Sequence, residues 1–245
     1  LPVFAAGHIN PALAAAGYLL QKEPDAQILY VGNKGGMEER LVPQAGFEIQ
    51  TVHISGFQRK LTPKNLVRNA QTVVRVFTAS AEAKRIIKAF GPDVCVGTGG
   101  YVSGPVIREA AKLGIPCVIH ESNAYPGVTT KMLAKSVKTV MLAVPDAKKY
   151  FDSSVNCVVT GNPVRGEVLA AERESSRKEL GLDDRPVVLS FGGSLGASAL
   201  NKAAAYMLAQ SAKTGEYQHI HGYGSHDEKF LDEVRDLGLD VEQQP

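Results

Sequence analysis

Short runs rich in β-branched residues alternate along this chain with longer stretches of helical periodicity, and this alternation limits the possible folds most. It is typical of a parallel sheet whose crossover helices cover its faces. The strands predicted in the first part of the chain are Leu1–Phe4, Gln27–Val31, Ile49–Ile54, Asp93–Gly97, Pro116–His120, Thr139–Ala143 and Cys157–Thr160. The helices predicted between them are Pro11–Lys22, Met37–Ala45, Leu66–Phe90, Pro105–Leu113 and Val128–Lys135. The sequence therefore predicts an α/β fold with a doubly wound parallel sheet.

The longest predicted helix is amphipathic. Its apolar residues recur close to the helical period of about 3.6 residues, at Leu66, Ala70, Val73, Val74, Phe77, Ala81 and Phe90.

A second unit begins after the segment Gly161–Arg165. A charged stretch, Arg173–Glu179, leads into strands predicted at Pro186–Phe191, Tyr217–His221 and Leu239–Glu242, with helices at Leu195–Ser211 and Asp227–Leu237. Three strands make about half of a doubly wound domain. We therefore expect an N-terminal Rossmann-like domain over residues 1–160, a linker over 161–185 and a partial Rossmann-like domain over 186–245, in a chain truncated at its ends.

Composition excludes several classes of protein. With 245 residues, 44% of them hydrophobic and 21% charged, the chain is neither disordered nor collagen-like. The net charge of +2 is too small to indicate a nucleic-acid partner. Cys95, Cys117 and Cys157 each lie in a β-rich run, which favours buried reduced thiols and a reducing compartment. The uncharged segment Leu1–Gln21 is interrupted by polar residues and prolines, so we expect a soluble protein.

Three segments share the pattern of a strand, a glycine-rich turn and a helix start. We call them the first glycine loop (Ala5–Pro11), the second glycine loop (Gly97–Pro105) and the third glycine loop (Gly192–Ala197). In α/β sheets such loops lie at the carboxyl edge, where ligands bind. Backbone amides and the helix dipole favour anions there. Three such loops, with Thr98 and Ser194 as additional donors, predict a phosphorylated ligand.

The chain lacks the common nucleotide and metal motifs. It contains no GxxxxGK[ST], DxD, HExxH or CxxC. We therefore expect neither P-loop hydrolysis nor a metal or other cofactor, and charge stabilisation by backbone, serine and arginine. The second glycine loop departs from GxGxxG followed by an acidic residue, so a nicotinamide-dependent oxidoreductase is a weaker alternative.

Polar residues also follow two of the predicted apolar strands. His8 lies in the first glycine loop, and His120-Glu121-Ser122-Asn123 ends another strand. Either His8 or Glu121 is placed where a general base is needed. The alternative is structural: His8 caps a helix, and Glu121 anchors a loop by hydrogen bonds.

The stretch Ser55–Phe90 is strongly basic. It holds one acid, Glu82, and eight cations, at Arg59, Lys60, Lys64, Arg68, Arg75, Lys84, Arg85 and Lys88. Such a run is either a solvated face or a surface attracted to anionic lipid. Phe57 and Leu61, next to Arg59 and Lys60, suit an interfacial contact.

Seven strings in order resemble the MurG family of peptidoglycan N-acetylglucosaminyltransferases (glycosyltransferase family 28): GHINPALA, LVPQAGFEI, ISGFQRK, PDVCVGTGGYVSGP, IPCVIHESNAYPG, VTGNPVR and FGGSLGA. The resemblance runs from about Gly7 to the end. It implies a GT-B architecture and an inverting, metal-independent transfer of N-acetylglucosamine (GlcNAc) from UDP-GlcNAc to lipid I (undecaprenyl-diphospho-MurNAc-pentapeptide), which yields lipid II. It also implies peripheral attachment to the cytoplasmic face of the bacterial membrane, and partners in the cell-wall and division machinery.

The resemblance assigns roles to residues that match the family's motifs. His8 matches a histidine near the acceptor, and Thr98, Gly99, Gly100 and Tyr101 match a loop that meets the lipid diphosphate. Asn123 matches a donor-sugar contact, whereas Arg165 and Ser194 match contacts to the donor diphosphate. With Gly7 they form the expected UDP-GlcNAc site.

The resemblance is incomplete in two places. The family's first loop reads GGTGGH or GGTAGH, where this chain has Val3-Phe4-Ala5-Ala6-Gly7-His8. The family's later strands, which carry an acidic ribose contact, have no counterpart before Pro245. An alternative function is therefore an inactive acceptor domain that binds membrane or lipid diphosphate without turnover.

Overall fold

The structure is a computed structural model that describes residues 1–5, 8–56, 62–225 and 229–239; for residues 63–71 and 73 it describes the backbone alone. Its contacts divide the chain into two compact units, Leu1–Ala170 and Ala171–Pro245. The division falls inside the segment 161–185 that the sequence analysis assigned to a linker.

The first unit is built on one parallel sheet of seven strands in the order β3-β2-β1-β4-β5-β6-β7. The strands are β1 (Pro2–Ala5), β2 (Leu29–Asn33), β3 (Glu48–Val52), β4 (Val94–Gly97), β5 (Cys117–Glu121), β6 (Thr139–Leu142) and β7 (Cys157–Val159). All seven were predicted within a few residues of these bounds. The register places Ala5 beside Gly97, so the first and second glycine loops leave the sheet side by side.

Helices connect the strands, and two of them differ from the prediction. The helices are α1 (Ile9–Lys22), α2 (Glu38–Gln44), α3 (Pro63–Phe90), α4 (Gly100–Lys112), α5 (Val128–Leu133) and α6 (Gly166–Ala170). The predicted start of α4 at Pro105 is wrong, because Pro105 lies inside the helix and the glycines before it form the first turn. Helix α6 was not predicted, nor was the 3₁₀ segment Pro145–Tyr150.

Alternating residues of the strands supply two cores, one on each face of the sheet. Val3 and Ala5 pack in the core that contains residues of α3 and α4, whereas Phe4 packs in the core that contains residues of α1 and α2. This alternation follows from the two-residue period of a strand. Helices α1 and α4 therefore cover opposite faces.

Among the side chains that the structure describes, the periodic apolar residues of α3 do not all face the core: Phe90 packs against it, whereas Ala81 is exposed. Val74 and Phe77 are exposed, while the buried residues of this helix are Thr72, Ala79, Ala83, Ile86 and Ile87. Phe77 and Ala79 are two residues apart, and two residues correspond to about 200° around a helix. The apolar residues Val74 and Phe77 thus lie on the side away from the core.

The cysteine prediction holds for two of the three thiols. Cys95 and Cys117 are buried and paired in register on β4 and β5, whereas Cys157 on β7 is half-buried. A hydrogen bond with Cys117 and burial both raise the pKa of Cys95, so this thiol stays protonated. In the described part of the chain, no helix is long and apolar enough to cross a membrane.

The second unit contains a parallel pair of strands, β8 (Val187–Phe191) and β9 (Gln218–Gly222), and three helices, α7 (Arg173–Glu179), α8 (Ser198–Thr214) and α9 (Lys229–Asp236), among its described residues. Helix α7 replaces the charged stretch that the sequence analysis left without structure. The strand predicted at Leu239–Glu242 extends outside the described residues.

Candidate functional site

The strand order of the first sheet has a topological switch point between β1 and β4. The chain moves outward from β1 through β2 to β3, then returns to the other side of β1 at β4. Because α1 and α4 leave on opposite faces, the loops after β1 and β4 diverge at the carboxyl edge. In open α/β sheets, ligands bind in the crevice formed at such a point.

His8 and Gly99, which are 91 residues apart in sequence, meet at this switch point. His8 is exposed and occupies the N-cap position of α1, but its side chain makes no capping hydrogen bond. Its imidazole lies over Gly99, where an added Cβ would approach the ring Cδ2 to 2.6 Å. Gly99 therefore leaves room for the imidazole that no other residue type would leave.

Two hydroxyl groups tie the first and second glycine loops together. Thr98 Oγ1 donates a hydrogen bond of 2.8 Å to the carbonyl oxygen of His8. Ser103 Oγ lies 3.0 Å from the carbonyl oxygen of Ala5 and 2.6 Å from that of Gly99. Thr98 and Ser103 are both buried, so these bonds lie away from water. The sequence analysis assigned Thr98 to the lipid diphosphate and did not single out Ser103.

The start of α4 offers backbone amides to the crevice. Gly99 and Gly100 have φ values of +93° and +74°, which only glycine adopts without strain. No side chain caps this end of α4 in the part of the chain that the structure describes. The first amides of a helix without such a cap are a binding site for anions.

Tyr101 extends this crevice toward the loop after β3. Its side chain is 59% exposed, and its ring lies against Gly56, where a Cβ would collide with it. Gly7, which the sequence analysis placed in the donor site, lies outside the described residues, so its predicted role stays a prediction.

Glu121 ends β5 with its carboxylate buried and fully engaged. Oε1 accepts hydrogen bonds from the backbone amide and the Nδ2 of Asn123, at 3.0 and 2.8 Å. Oε2 accepts a 2.9 Å bond from the amide of Gly127, and the Thr130 hydroxyl also hydrogen-bonds the carboxylate. Burial raises the pKa of Glu121, but the four hydrogen bonds together outweigh burial and lower it below the ordinary value. These contacts favour a loop anchor over a general base.

His120 connects the same strand end to the segment that leads to Arg165. Its Nε2 lies 3.0 Å from the carbonyl oxygen of Gly161, whose φ of +74° turns the chain there. Arg165 itself is exposed, and its closest acid is Glu167 at 3.8 Å. An exposed pair at that distance contributes little to stability, so the guanidinium remains available to an anionic ligand.

The third glycine loop belongs to the second unit. Gly193 and Gly196 both have a φ of +83°, and the amide of Gly196 donates to the carbonyl oxygen of Gly193. Ser194 is exposed, and within the described residues its hydroxyl makes no hydrogen bond; its backbone carbonyl accepts a bond from the amide of Ser225. The loop thus presents a serine hydroxyl just before α8.

A polar cluster beneath this loop was missed by the sequence analysis. Ser190 Oγ lies 2.8 Å from Nε2 of His219 and 2.7 Å from Nδ1 of His221, and Nε2 of His221 lies 2.9 Å from Oδ1 of Asn201. Burial lowers the pKa of both histidines, and each is therefore neutral near pH 7. The alternation of polar and apolar residues in Gln218–Gly222 was the only signal for this cluster, which joins β8, β9 and α8.

Comparison with known proteins identifies the family. The model of the glycosyltransferase family 28 N-terminal domain matches residues 5–142. The chain belongs to glycosyltransferase family 28. This stretch includes the switch point, both glycine loops around it and the strand end at Glu121.

Family 28 relatives match along most of the chain. The UDP-N-acetylglucosamine--N-acetylmuramyl-(pentapeptide) pyrophosphoryl-undecaprenol N-acetylglucosamine transferase of Acetivibrio thermocellus is 47% identical over 220 residues, which cover 89% of this chain and 58% of the relative. The enzyme of the same name from Thermoanaerobacter sp. is 42% identical over 238 residues, which cover 97% of this chain and 64% of the relative. The chain thus spans about three fifths of the length of these relatives.

A solved family member supports the same fold. The crystal structure of Acinetobacter baumannii MurG overlays with a TM-score of 0.63 at 30% identity, covering 98% of this chain and 65% of that chain. The overlay confirms the predicted α/β fold of the GT-B class for this family 28 protein.

Proposed function

We propose that this family 28 protein transfers GlcNAc from UDP-GlcNAc to the MurNAc of lipid I, with inversion at the anomeric carbon and without a metal ion. The observation that carries the proposal is the meeting of His8 with the glycine-rich start of α4 at the switch point of the sheet. An exposed imidazole beside a group of backbone amides suits a reaction that moves one proton and binds phosphate.

The proposed reaction is a single displacement at the anomeric carbon. The acceptor hydroxyl attacks the anomeric carbon of GlcNAc, the bond from that carbon to the diphosphate oxygen breaks, and UDP leaves with the electron pair. Arg165 and Ser194 stabilise the charge that develops on UDP by charge-assisted and neutral hydrogen bonds. His8 takes the proton of the attacking hydroxyl, because the carboxylate of Glu121 is occupied by hydrogen bonds. General-base catalysis of this kind contributes about 10²–10⁴-fold.

The acceptor diphosphate is proposed to bind the second glycine loop. Gly99 and Gly100 supply amides at the start of α4, and the exposed ring of Tyr101 forms one wall. The hydroxyl of Thr98 is committed to the carbonyl of His8, so Thr98 contributes through its backbone.

The membrane is proposed as a further partner, at the cytoplasmic face. Val74 and Phe77 are 62% and 72% exposed on α3, and Lys84, Arg85 and Lys88 are exposed farther along the same helix. Exposed apolar residues near cations suit the surface of an anionic bilayer. Arg59 and Lys60, with their neighbours Phe57 and Leu61, lie outside the described residues. Contact with the cell-wall and division machinery stays a prediction.

A direct test measures UDP release from UDP-GlcNAc in the presence of a lipid I analogue. We expect release by the chain, a loss of about 100-fold or more in Arg165→Ala from removal of a charged hydrogen bond in the transition state, and no change in Arg40→Ala, an exposed arginine of the same unit. Absence of release from the unaltered chain, or equal release by Arg165→Ala, contradicts the proposal.

The exposed surface of α3 also favours a second candidate, a membrane-binding module without turnover. This candidate predicts salt-sensitive binding to anionic vesicles by a chain with no affinity for UDP-GlcNAc. Calorimetric titration with UDP-GlcNAc separates the two candidates, since only the transferase binds it.

A further inference from the structure

The carboxylate of Glu121 holds a short loop and the helix that follows it. Its four hydrogen-bond donors come from Asn123, Gly127 and Thr130, which span the loop after β5 and the first turn of α5. A buried carboxylate that accepts this many bonds is held in one rotamer and holds its donors in turn. The conformation of the loop after β5 therefore depends on the Glu121 side chain.

Asn123 donates two of these bonds, and this fixes the direction of its side chain. Its backbone amide and its Nδ2 both donate to Oε1 of Glu121, so the residue is held at two points. Asn123 is exposed, and the structure gives its Oδ1 no hydrogen bond among the described residues. Because Oδ1 and Nδ2 lie on opposite sides of the same amide carbon, anchoring Nδ2 leaves Oδ1 for a hydroxyl donor of a ligand.

We propose that Glu121 is a positioning residue that acts through Asn123: it orients the Asn123 amide toward a hydroxyl group of the donor sugar and does not itself receive the acceptor proton. The inference rests on the proposed function for the identity of the sugar. Protonation of Glu121 would turn one carboxylate oxygen from an acceptor into a donor. That donor would face the N–H group of Gly127 or Asn123, and the hydrogen bond there would be lost.

The test compares four variants with the unaltered chain. Glu121→Gln keeps the shape of the side chain but offers one acceptor oxygen instead of two. Thr130→Val removes one donor to Glu121 and nearly keeps the size of the side chain. Thr129→Val is the matched control, since Thr129 is adjacent and makes no hydrogen bond to the carboxylate among the described residues. Asn123→Ala and its combination with Glu121→Gln measure whether Glu121 acts through Asn123.

Two readouts are recorded for each variant. The first is the NMR signal of the Asn123 side-chain NH₂ group, which reports its hydrogen bond without any substrate. The second is steady-state UDP release with varied UDP-GlcNAc. We expect Glu121→Gln to shift the NH₂ signal and raise the KM for UDP-GlcNAc about 10–100-fold, and Thr130→Val to raise it about 3–10-fold, in proportion to the charged hydrogen bonds removed. We expect Thr129→Val to change neither.

The double variant Glu121→Gln plus Asn123→Ala distinguishes a positioning role of Glu121 from proton transfer. If Glu121 acts through Asn123, adding Glu121→Gln to Asn123→Ala changes kcat/KM by less than about 2-fold, because coupled residues are not additive. If Glu121 is the base, Glu121→Gln lowers kcat with KM unchanged, removes the acidic limb of the pH profile and multiplies the defect of Asn123→Ala, and the inference is overturned. An unshifted NH₂ signal in Glu121→Gln also overturns it. If the unaltered chain releases no UDP, the proposed function fails, and the NH₂ signal alone supports or overturns the positioning of Asn123.

Discussion

Replacing Gly99 by alanine separates the two reasons for a glycine at this position. With φ of +93° and ψ of −168°, Gly99 has a backbone conformation that is essentially restricted to glycine and costs an L-residue about 1–3 kcal/mol. A Cβ there would also approach Cδ2 of His8 to 2.6 Å. Because His8 is exposed, its imidazole is free to rotate away, so the contact adds little to the loss of stability. We therefore expect Gly99→Ala to lower the free energy of unfolding by about 1–3 kcal/mol and to displace the imidazole.

Two glycines of the same unit provide matched controls. Gly114 has a φ of +78° with no atom within 4 Å of an added Cβ, so alanine there carries the strain without the collision. Gly17 lies inside α1, also with no atom within 4 Å, and alanine there gains about 0.5–1 kcal/mol from helix propensity. Urea unfolding should therefore rank Gly17→Ala above the unaltered chain, with Gly99→Ala and Gly114→Ala both below it.

The position of His8 is measured in the same variants. We expect the ring resonances of His8 to shift in Gly99→Ala alone, together with a loss of UDP release about 10²-fold or larger, the share attributed to a general base. An unmoved His8 resonance in Gly99→Ala would refute the steric argument. Equal stability of Gly99→Ala and Gly17→Ala would refute the argument from φ.

Three further predictions concern single side chains. Thr98→Val removes the hydroxyl that donates to the carbonyl of His8 and should cost about 1–3 kcal/mol in urea unfolding, whereas Thr98→Ser should recover most of it. The pKa of Glu121 is lower in the folded chain, so its stabilising contribution is complete above the unfolded value of about 4.3 and is lost as pH falls through the folded pKa; unfolding between pH 6 and 3 should therefore depend less on pH in Glu121→Gln. Phe77→Ser should change stability by less than about 0.5 kcal/mol and weaken binding to anionic vesicles, whereas Ile87→Ala should cost about 2–5 kcal/mol and leave vesicle binding per folded molecule unchanged.

The strands were predictable because burial on both faces of a parallel sheet leaves short, almost continuous apolar runs. Segments such as Val94–Gly97 and Cys117–Glu121 are recognisable in this way without knowledge of their neighbours. The first residue of a helix is harder to predict where glycine and proline lie close together in the sequence. Pro105 favoured a helix start, but Gly99 and Gly100 take φ values that allow the chain to enter α4 one turn earlier.

For α3, the apolar spacing predicted the helix but not which of its faces is buried. Val74 and Phe77 satisfy helical spacing as well as Ala79, Ala83 and Ile86 do, and periodicity does not say which of two stripes faces the sheet. Small residues pack closely against strands, and this tertiary requirement selected the alanine stripe. The apolar residues left outside then call for another explanation, for which a lipid surface is the one proposed above.

At the site, residue types were easier to predict than their partners. His8, Gly99 and Glu121 were all singled out from sequence, but the contact between His8 and Gly99 depends on β4 returning beside β1, which no local pattern records. Ser103 was missed for the same reason, since its acceptors belong to Ala5 and Gly99. A serine in the first turn of a helix has many local uses, and only the fold shows that this one joins two loops.

The strand order explains why the reacting groups gather on one side of the first sheet. A crossover that returned β4 to the outer side of β3 would separate the first and second glycine loops by three strand spacings, or about 14 Å. The hydroxyl of Thr98 would then not reach the carbonyl of His8, and the imidazole would have no flat glycine surface beneath it. Helix α3, with 28 residues, carries the chain across the sheet from β3 to β4 and so brings the two loops together. Helix α3 thus brings the two loops of the candidate site together and displays Val74 and Phe77 on its outer side, which links the position of that site to the proposed lipid surface within a single element.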